Sequence, residues 1–311
     1  MTDALSRFGL LDFGMLDSDR LPRSSLATSL RTIALAEQLG FGRYWLTEHH
    51  VGNCAWGNPT SVVALLAAST NRIRVGTGGT LISTYRPAAV ASDFALLGNI
   101  FPGRIDLGFA RGSTTLGVEH DGLAPARLPM EEFGKLAREI VNRLHLTGEY
   151  EEGAEPPRRA SIPRASRIPP ECWVLGSSAD SGRLAASLGT PFAVSLFHTK
   201  EHDVSGAAAY RAEFRDANAS KSRLAVAVAG LCASSEADAR RLFETRMLQG
   251  SAWPTVYGTA DRVSDAIQQI QARYGPDEIV YLDLTRDPAS RLRSIELFGR
   301  IVSDFTRRHD H

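Results

Sequence analysis

The sequence predicts an α/β fold, a (β/α)8 barrel of the TIM type with loop insertions at its top, as a single domain over residues 1–311. Eight short β-rich runs alternate with helical stretches, and parallel strands need such helical crossovers. The 311 residues are a normal length for one barrel of this kind. Glycines and chemically active side chains gather at the ends of the runs, where barrel chemistry takes place. An open, doubly wound sheet would show the same alternation and remains the alternative.

The elements follow from hydrophobic runs and from the residues that end them. The predicted strands cover residues 8–12, 43–47, 73–78, 104–109, 171–175, 192–196, 224–232 and 278–284. The predicted helices cover residues 24–39, 59–70, 87–100, 130–146, 179–188, 201–216, 235–248, 259–274 and 288–305. Gly40 ends the first helix, and Pro59 and Pro87 open the second and third, because proline suits the first helical turn.

Two segments interrupt this alternation. Residues 148–170 are rich in proline and arginine and lie between a helix and the next strand, which predicts an excursion on the bottom face of the barrel, away from the chemistry. Residues 249–258 carry Trp253 and Tyr257 and follow the seventh strand and its helix. This second segment is predicted to fold over the top of the barrel as a lid.

Composition excludes several classes of partner. The 35 basic and 35 acidic residues balance, so a nucleic acid or an anionic membrane gains no electrostatic support. No apolar run approaches the roughly 18 residues of a membrane helix, and the first residues do not resemble a signal peptide. Cys54, Cys172 and Cys232 are odd in number and lack metal-ligand spacing, which predicts a reduced, cytoplasmic protein with no metal.

The helices predicted at residues 59–70 and 87–100 are apolar nearly all round. A helix that covers a barrel needs only one apolar face. A second apolar face indicates burial against another subunit. We therefore expect a homodimer that forms through these two helices.

Two adjacent histidines follow the second predicted strand. Glu48, His49 and His50 lie where that strand ends, and imidazole is the natural proton carrier near neutral pH. A structural pair of histidines with satisfied hydrogen bonds is the alternative reading of the same residues.

Six aromatic side chains near the strand ends could form the wall of a dry cavity: Trp45, Trp56, Phe109, Phe197, Trp253 and Tyr257. For Trp45 and Phe109, packing in the core is the favoured role. His198 and Cys54 stand in top-side loops and are weaker candidates for substrate contact.

Glycines and hydroxyl groups at three further strand ends favour an anionic ligand with a planar ring. At Gly78 and Gly79 the backbone can approach such a ring closely, although a plain bend of the barrel would also use glycine. The spacing is not that of a dinucleotide fingerprint. Arg111 ends the fourth strand and can bind a phosphate bidentately. The last group consists of Ser177, Ser178 and Ser181 at the start of a helix. The N-terminus of this helix favours an anion. Ordinary capping of the helix by the serines is the alternative.

Four runs together carry a family resemblance: WLTEHHVGNCAWGNP, RIRVGTGG, PGRIDLGFARG and VLGSSADSGRLAASLGTPFAVS. In this order they resemble the bacterial luciferase-like flavin monooxygenases, and the resemblance covers nearly the whole chain. It implies a (β/α)8 barrel, a homodimer or heterodimer, and reduced FMN supplied by a separate flavin reductase. It further implies reaction with O2 through a C(4a)-peroxyflavin, which oxygenates a small organic substrate.

The resemblance also implies roles for single residues. His49 matches the catalytic histidine of the family, with Glu48 and His50 in support, and the Gly78–Gly79 bond matches a non-proline cis peptide beneath the flavin ring. Arg111, Ser178 and Ser181 match phosphate contacts; Asp180 would repel a phosphate and is expected to face solvent. Ala110 stands where bacterial luciferase has a reactive cysteine, so light-emitting chemistry is not expected.

Three readings of function remain open at this point. The first is a flavin-dependent monooxygenase, with hydroxylation, epoxidation and Baeyer–Villiger insertion undecided and a neutral, bulky, apolar or aromatic substrate, such as a secondary-metabolite intermediate, favoured. The second is a deazaflavin-dependent oxidoreductase on the same barrel. The third is a non-catalytic flavin-binding protein, against which the two histidines argue because a storage protein needs no proton carrier.

Overall fold

A closed parallel barrel forms the centre of the computed structural model, which describes residues 8–50, 53–112, 128–145, 168–198, 203–215, 222–245 and 254–307. The strands are β1 Phe8–Asp12, β2 Arg43–Leu46, β3 Arg74–Leu81, β4 Ile105–Ala110, β5 Glu171–Gly176, β6 Phe192–Ser195, β7 Leu224–Ala233, β8 Val256–Thr259 and β9 Glu278–Asp283. The order β1-β2-β3-β4-β5-β6-β7-β9 closes on itself through parallel pairing of β9 with β1. Eight strands therefore close the barrel, and the open-sheet alternative is excluded.

Helices connect the strands and cover the barrel from outside. They are α1 Pro22–Gln38, α2 Thr60–Ala68, α3 Pro87–Ile100, α4 Met130–His145, α5 Ala179–Leu188, α6 Ser205–Glu213, α7 Glu236–Glu244, α8 Ala260–Tyr274 and α9 Pro288–Arg307. Pro22, rather than Ser24, opens α1, and α2 begins at Thr60, whose N–H donates to Asn58 Oδ1. These shifts of one or two residues leave the predicted order unchanged.

The predicted lid at residues 249–258 is partly wrong. Val256–Thr259 forms β8, which lies outside the barrel and pairs in parallel with Gly230–Ala233 at the carboxyl end of β7. The ten-residue β7 extends beyond the barrel and offers this edge. Residues 249–253 of the predicted lid, and residues 148–167 of the predicted excursion, lie outside the described residues.

Two apolar layers stabilise the fold. The outer layer packs the helices onto the strands and includes Tyr44, Leu46 and Phe109. The inner layer fills the barrel with residues of alternate register, among them Leu11, Trp45 and Trp173. The alternation along each strand therefore tells which side chains of the strand ends face the barrel axis.

Charged side chains fill the bottom of the barrel, at the amino ends of the strands. The six members are Arg43, Arg74, Asp106, Glu171, Arg223 and Glu278, three of each sign, joined by ion pairs. Arg43 lies over the rings of Trp45 and Trp173, which separate this charged layer from the upper barrel. The sequence did not predict this layer. It makes the lower barrel a structural plug and leaves the carboxyl ends of the strands for chemistry.

Candidate active site

Glu48 anchors the loop that follows β2. Its carboxylate is buried: Oε2 accepts the Leu81 N–H at 2.9 Å, and Oε1 accepts the Tyr85 hydroxyl at 2.8 Å. His50 Nε2 lies 2.9 Å from the same Oε1 and 2.9 Å from the Gly57 carbonyl oxygen. Burial raises the pKa of Glu48, and the donated hydrogen bonds and His50 oppose that rise. Glu48 thus ties the loop to β3, and His50 joins Glu48 to Gly57 within the loop.

His49 takes the opposite direction, towards the barrel axis. Its ring meets the Phe13 ring edge-on, with centroids 5.0 Å apart, and Phe13 belongs to the inner layer of the barrel. Burial, with smaller electrostatic contributions from His198 and His50, lowers the pKa of His49 to about 4. The imidazole is therefore neutral at pH 7. It can accept a proton or donate a neutral N–H, and an imidazolium acid is scarcely populated.

Aromatic rings extend from His49 across the mouth of the barrel. Phe13 and Phe197 are buried with centroids 6.0 Å apart, and His198 packs on Phe197 at 4.7 Å. His198 is solvent-exposed, yet the surrounding protein lowers its pKa by desolvation. This mouth therefore has an apolar wall with an imidazole at each end.

Three buried polar atoms at this mouth have no hydrogen-bond partner within the described part of the chain: Thr47 Oγ1, His49 Nε2 and Ser195 Oγ. Thr47 and His49 share the register of Trp45, and Ser195 shares that of Ala193 and Phe197, which belong to the inner layer. Buried polar atoms are normally hydrogen-bonded, so each one without a partner needs an explanation. A polar ligand in the mouth of the barrel would supply partners.

The peptide bond between Gly78 and Gly79 in β3 is cis, as the family resemblance implies. A Cβ on Gly78 would lie 2.8 Å from Cε3 of Trp45, and a Cβ on Gly79 would lie 2.7 Å from the Gly108 carbonyl oxygen. Close packing therefore requires glycine at both positions. A contact between this peptide and a flavin ring stays a prediction.

Arg111 and the three serines come to the same edge of the barrel, since Arg111 follows β4, the serines follow β5, and these strands pair. Ser178 caps α5: its Oγ accepts the Ser181 N–H at 3.3 Å and lies 3.1 Å from Ser181 Oγ. Ser178 therefore has the capping role. Binding of a phosphate by Arg111, Ser177, Ser178 and Ser181 stays a prediction. Asp180 is exposed and pairs with Arg183, in agreement with the expectation that it faces solvent.

The remaining aromatic candidates have other positions. Trp45 lies in the inner layer and donates to Asp106 Oδ2 at 2.9 Å, and Phe109 lies in the outer layer, so both are core residues as favoured. Trp56 packs against the backbone of Gly14, and Tyr257 stacks on Phe243 beside β8. Trp253 lies outside the described residues, and Cys54 is half-buried in the loop after β2.

Sequence reasoning missed three residues of the site. Thr47 and Ser195 are inward-facing hydroxyls at strand ends, and strand alternation counted from Trp45 and Phe197 would have found them. Tyr85 carries no such signal, because its partner Glu48 is 37 residues away.

Across the described ranges, no group of three or more His, Cys, Asp or Glu side chains is placed to hold a metal ion. No helix in those ranges is long and apolar enough to cross a membrane.

The sequence matches known proteins over most of its length. The sequence profile of the family described as "Luciferase-like monooxygenase" matches residues 6–294. A protein of Escherichia coli (strain K12), also described as a luciferase-like monooxygenase, is 30% identical over 283 residues, covering 89% of this chain and 81% of the relative. The oxygenase component of the flavin-dependent trigonelline monooxygenase of Acinetobacter baylyi is 28% identical, over 55% of this chain and 48% of that protein.

The fold comparison covers almost the complete chain. The crystal structure of apo-MsnO8 superposes with a TM-score of 0.82 at 26% sequence identity, covering 96% of this chain and 98% of that one. The barrel and the order of its elements are therefore those of a solved structure, and the site described above lies at the carboxyl ends of its strands.

Proposed function

Because the chain belongs to the luciferase-like monooxygenase family, we propose that it is the oxygenase of a two-component system. In this proposal it takes reduced FMN from a separate flavin reductase and oxygenates a small organic substrate. When bound, the reduced flavin supplies two electrons to O2, so that one oxygen atom enters the substrate and the other leaves as water. A relative named as an oxygenase component supports the separate reductase.

The observation that carries the proposal is the set of buried, unpartnered polar atoms at the mouth. Thr47 Oγ1, His49 Nε2 and Ser195 Oγ belong to side chains whose register faces the barrel axis, and a polar heterocycle, whose carbonyl and ring nitrogen groups offer donors and acceptors, would supply their missing partners. The Gly78–Gly79 peptide lies in the neighbouring strand β3, where a planar ring could approach the backbone. Arg111 and the start of α5 would hold the phosphate, with Ser177, Ser178 and Ser181 at that helix end.

His49 is the residue assigned to proton handling. As a neutral imidazole at pH 7 it would accept a proton from the reacting groups or donate a hydrogen bond through N–H. The rings of Phe13 and Phe197 would exclude water around it. The apolar wall also favours a neutral, apolar or aromatic substrate. The oxygen adduct implied by the resemblance, the type of oxygenation and the cytoplasmic location stay predictions.

A homodimer through α2 and α3 belongs to the same proposal. On α3, Leu96 and Ile100 are 50% and 56% exposed, and on α2 Leu65 is 51% exposed. Large apolar side chains at such exposure, on two neighbouring helices, are typical of a surface that meets another subunit. A second copy of the chain is the natural partner, because a symmetric dimer uses the same patch on both subunits.

The test is an anaerobic titration of the purified protein with FMN, chemically reduced FMN and reduced deazaflavin, followed by rapid mixing with oxygenated buffer. We expect tighter binding of reduced FMN than of FMN and a transient near-ultraviolet absorbance after mixing. Binding of deazaflavin alone, without that transient, would overturn the monooxygenase assignment in favour of hydride transfer. Binding of FMN in either redox state with no transient would favour a non-catalytic flavin-binding protein.

A further inference from the structure

Tyr85 stands at the end of a short 3-10 turn, Ile82–Thr84, between β3 and α3. Its hydroxyl donates to Glu48 Oε1 at 2.8 Å, and desolvation together with Glu48 raises the pKa of Tyr85. The phenol therefore stays protonated and acts only as a donor towards the carboxylate. This contact links the segment after β3 to the histidine loop after β2.

Glu48 collects donors from three segments. The Leu81 N–H comes from the last residue of β3, two residues after Gly79, and the Tyr85 hydroxyl comes from the following turn. His50 Nε2 faces two acceptors, Glu48 Oε1 and the Gly57 carbonyl oxygen, so Nε2 carries a proton. One buried carboxylate thus joins the end of β3, the turn and the histidine loop.

We call Glu48 with its three donors, Leu81, Tyr85 and His50, the clamp. The alternation of side chains determines how the clamp acts on His49. Glu48 and His50 point away from the barrel axis, and His49 between them points into the mouth. The clamp therefore fixes the backbone on both sides of His49 without touching its ring. A shift of about 1 Å at a reacting group can cost about a hundredfold in rate.

We propose that Tyr85 is a positioning residue: through Glu48 it holds the loop that carries His49 against the end of the strand that carries the Gly78–Gly79 peptide. This inference rests on the proposed flavin chemistry, since it concerns the geometry between His49 and the assigned flavin position. The hydroxyl of Tyr85 itself bonds to Glu48.

The clamp depends on pH because the carboxylate must be ionised to accept all three donors. Within the described ranges, the titratable groups in contact with Glu48 are Tyr85 and His50. Burial raises the pKa of Glu48, and the Tyr85 hydroxyl lowers it. Removal of that hydroxyl raises the pKa further, so the clamp opens at a higher pH. Any property that needs the clamp, such as flavin binding, should therefore be lost at a higher pH in the variant than in the wild type when the solution is acidified.

The test compares Tyr85→Phe with a matched control, Tyr274→Phe. Tyr274 has a buried hydroxyl with no hydrogen-bond partner in the described part of the chain, so its removal breaks no contact there. Affinity for reduced FMN is titrated anaerobically from about pH 5 to pH 8. Tyr85→Phe releases the end of β3 with the Gly78–Gly79 peptide as well as the loop of His49, so we expect roughly tenfold weaker binding of reduced FMN near pH 6. The pH below which binding weakens should rise by about one unit. The control should follow the wild type.

A second measurement needs no flavin. Hydrogen–deuterium exchange on the flavin-free protein reports the Leu81 amide, which Glu48 Oε2 protects in the native structure. We expect severalfold faster exchange at Leu81 in Tyr85→Phe and no change in Tyr274→Phe. Glu48→Gln keeps the shape of the side chain but cannot ionise. In this variant, protection of the Leu81 amide should no longer be lost as the pH falls.

The outcomes separate the two proposals. If the wild type binds neither reduced FMN nor deazaflavin, the proposed function fails, and the exchange data alone decide whether Tyr85 holds the clamp. If Leu81 exchange and the pH dependence of flavin binding in Tyr85→Phe both match the wild type, the positioning role is overturned. Faster exchange with unchanged flavin affinity at every pH would also overturn it, because the clamp would then be structural only.

Discussion

Arg43 on β2 and Glu278 on β9 are joined by two parallel hydrogen bonds, Nε to Oε2 at 2.6 Å and Nη2 to Oε1 at 2.8 Å. Strand β1 lies between them, and its Gly9 pairs in register with Arg43. A Cβ on Gly9 would lie 2.5 Å from Cγ of Arg43. The missing side chain of Gly9 therefore lets the arginine cross one strand and connect its two neighbours.

The first prediction concerns Glu278→Gln. The bottom layer holds three arginines and three carboxylates, so the variant leaves one positive charge in excess there, although Arg43 keeps its ion pair with Asp106. Loss of one member of a buried ion pair destabilises a protein by about 3–5 kcal/mol. We expect a drop of that order in the free energy of unfolding, measured by urea denaturation at neutral pH.

The matched control is Glu131→Gln, which removes the partner of Lys135 in an exposed pair on α4. An exposed pair of this kind contributes little, so this variant should unfold at the urea concentration of the wild type. An equal effect of both variants would show that the barrel does not need the Arg43–Glu278 pair.

Much of the fold was predictable because hydrophobic alternation marks each barrel strand. Strand β8, Val256–Thr259, was not predictable. It has only four residues, of which Tyr257 and Thr259 are half-exposed. The edge with which it pairs exists only because β7 extends beyond the barrel. The charged bottom layer escaped prediction for another reason. Its members stand singly at the starts of apolar runs, and Arg43 and Glu278 are 235 positions apart.

The second prediction concerns His49→Gln. The variant keeps a polar side chain but loses the proton-accepting imidazole, and general acid–base catalysis typically contributes about a hundredfold or more. We expect turnover to fall by that factor while the dissociation constant for reduced FMN changes less than about threefold, as measured by stopped-flow absorbance and anaerobic titration.

The control for His49→Gln is His145→Gln, at the end of α4 and far from the strand ends of the site. It should retain wild-type turnover. Since the pKa of His49 is about 4, its titration should leave no inflection between about pH 6 and pH 8. Unchanged turnover in His49→Gln would remove the proton-handling assignment.

The third prediction concerns Arg111→Met and the two ligands FMN and riboflavin, which differ by the phosphate. A hydrogen bond to a charged group contributes about 1.5–3 kcal/mol. We therefore expect the variant to bind reduced FMN roughly ten- to a hundredfold more weakly. Affinity for reduced riboflavin should stay near that of the wild type. An equal loss for both ligands would show that Arg111 acts on the fold or on the ring rather than on the phosphate.

The candidate site was predictable wherever its side chains follow the end of a strand. Glu48, His49 and Arg111 qualify because a sequence shows where an apolar run stops and which side chain follows. The direction of each side chain was harder to derive: Glu48 and His50 face away from the axis, whereas His49 faces it. Tyr85 could not be found at all, since only the closed barrel brings it to Glu48.

The fourth prediction concerns the apolar faces of α2 and α3. Leu96→Asp places a charge among the exposed apolar side chains of these helices, which include Leu65 and Ile100, and burial of an unpaired charge in an interface is unfavourable. We expect the wild type to sediment as a dimer at micromolar concentration and Leu96→Asp to sediment as a monomer. Val204→Asp makes the same chemical change at an exposed apolar residue before α6, on another part of the surface, and should remain dimeric. A monomeric wild type would refute the dimer, and dissociation of both variants would show that the effect is not specific to these helices.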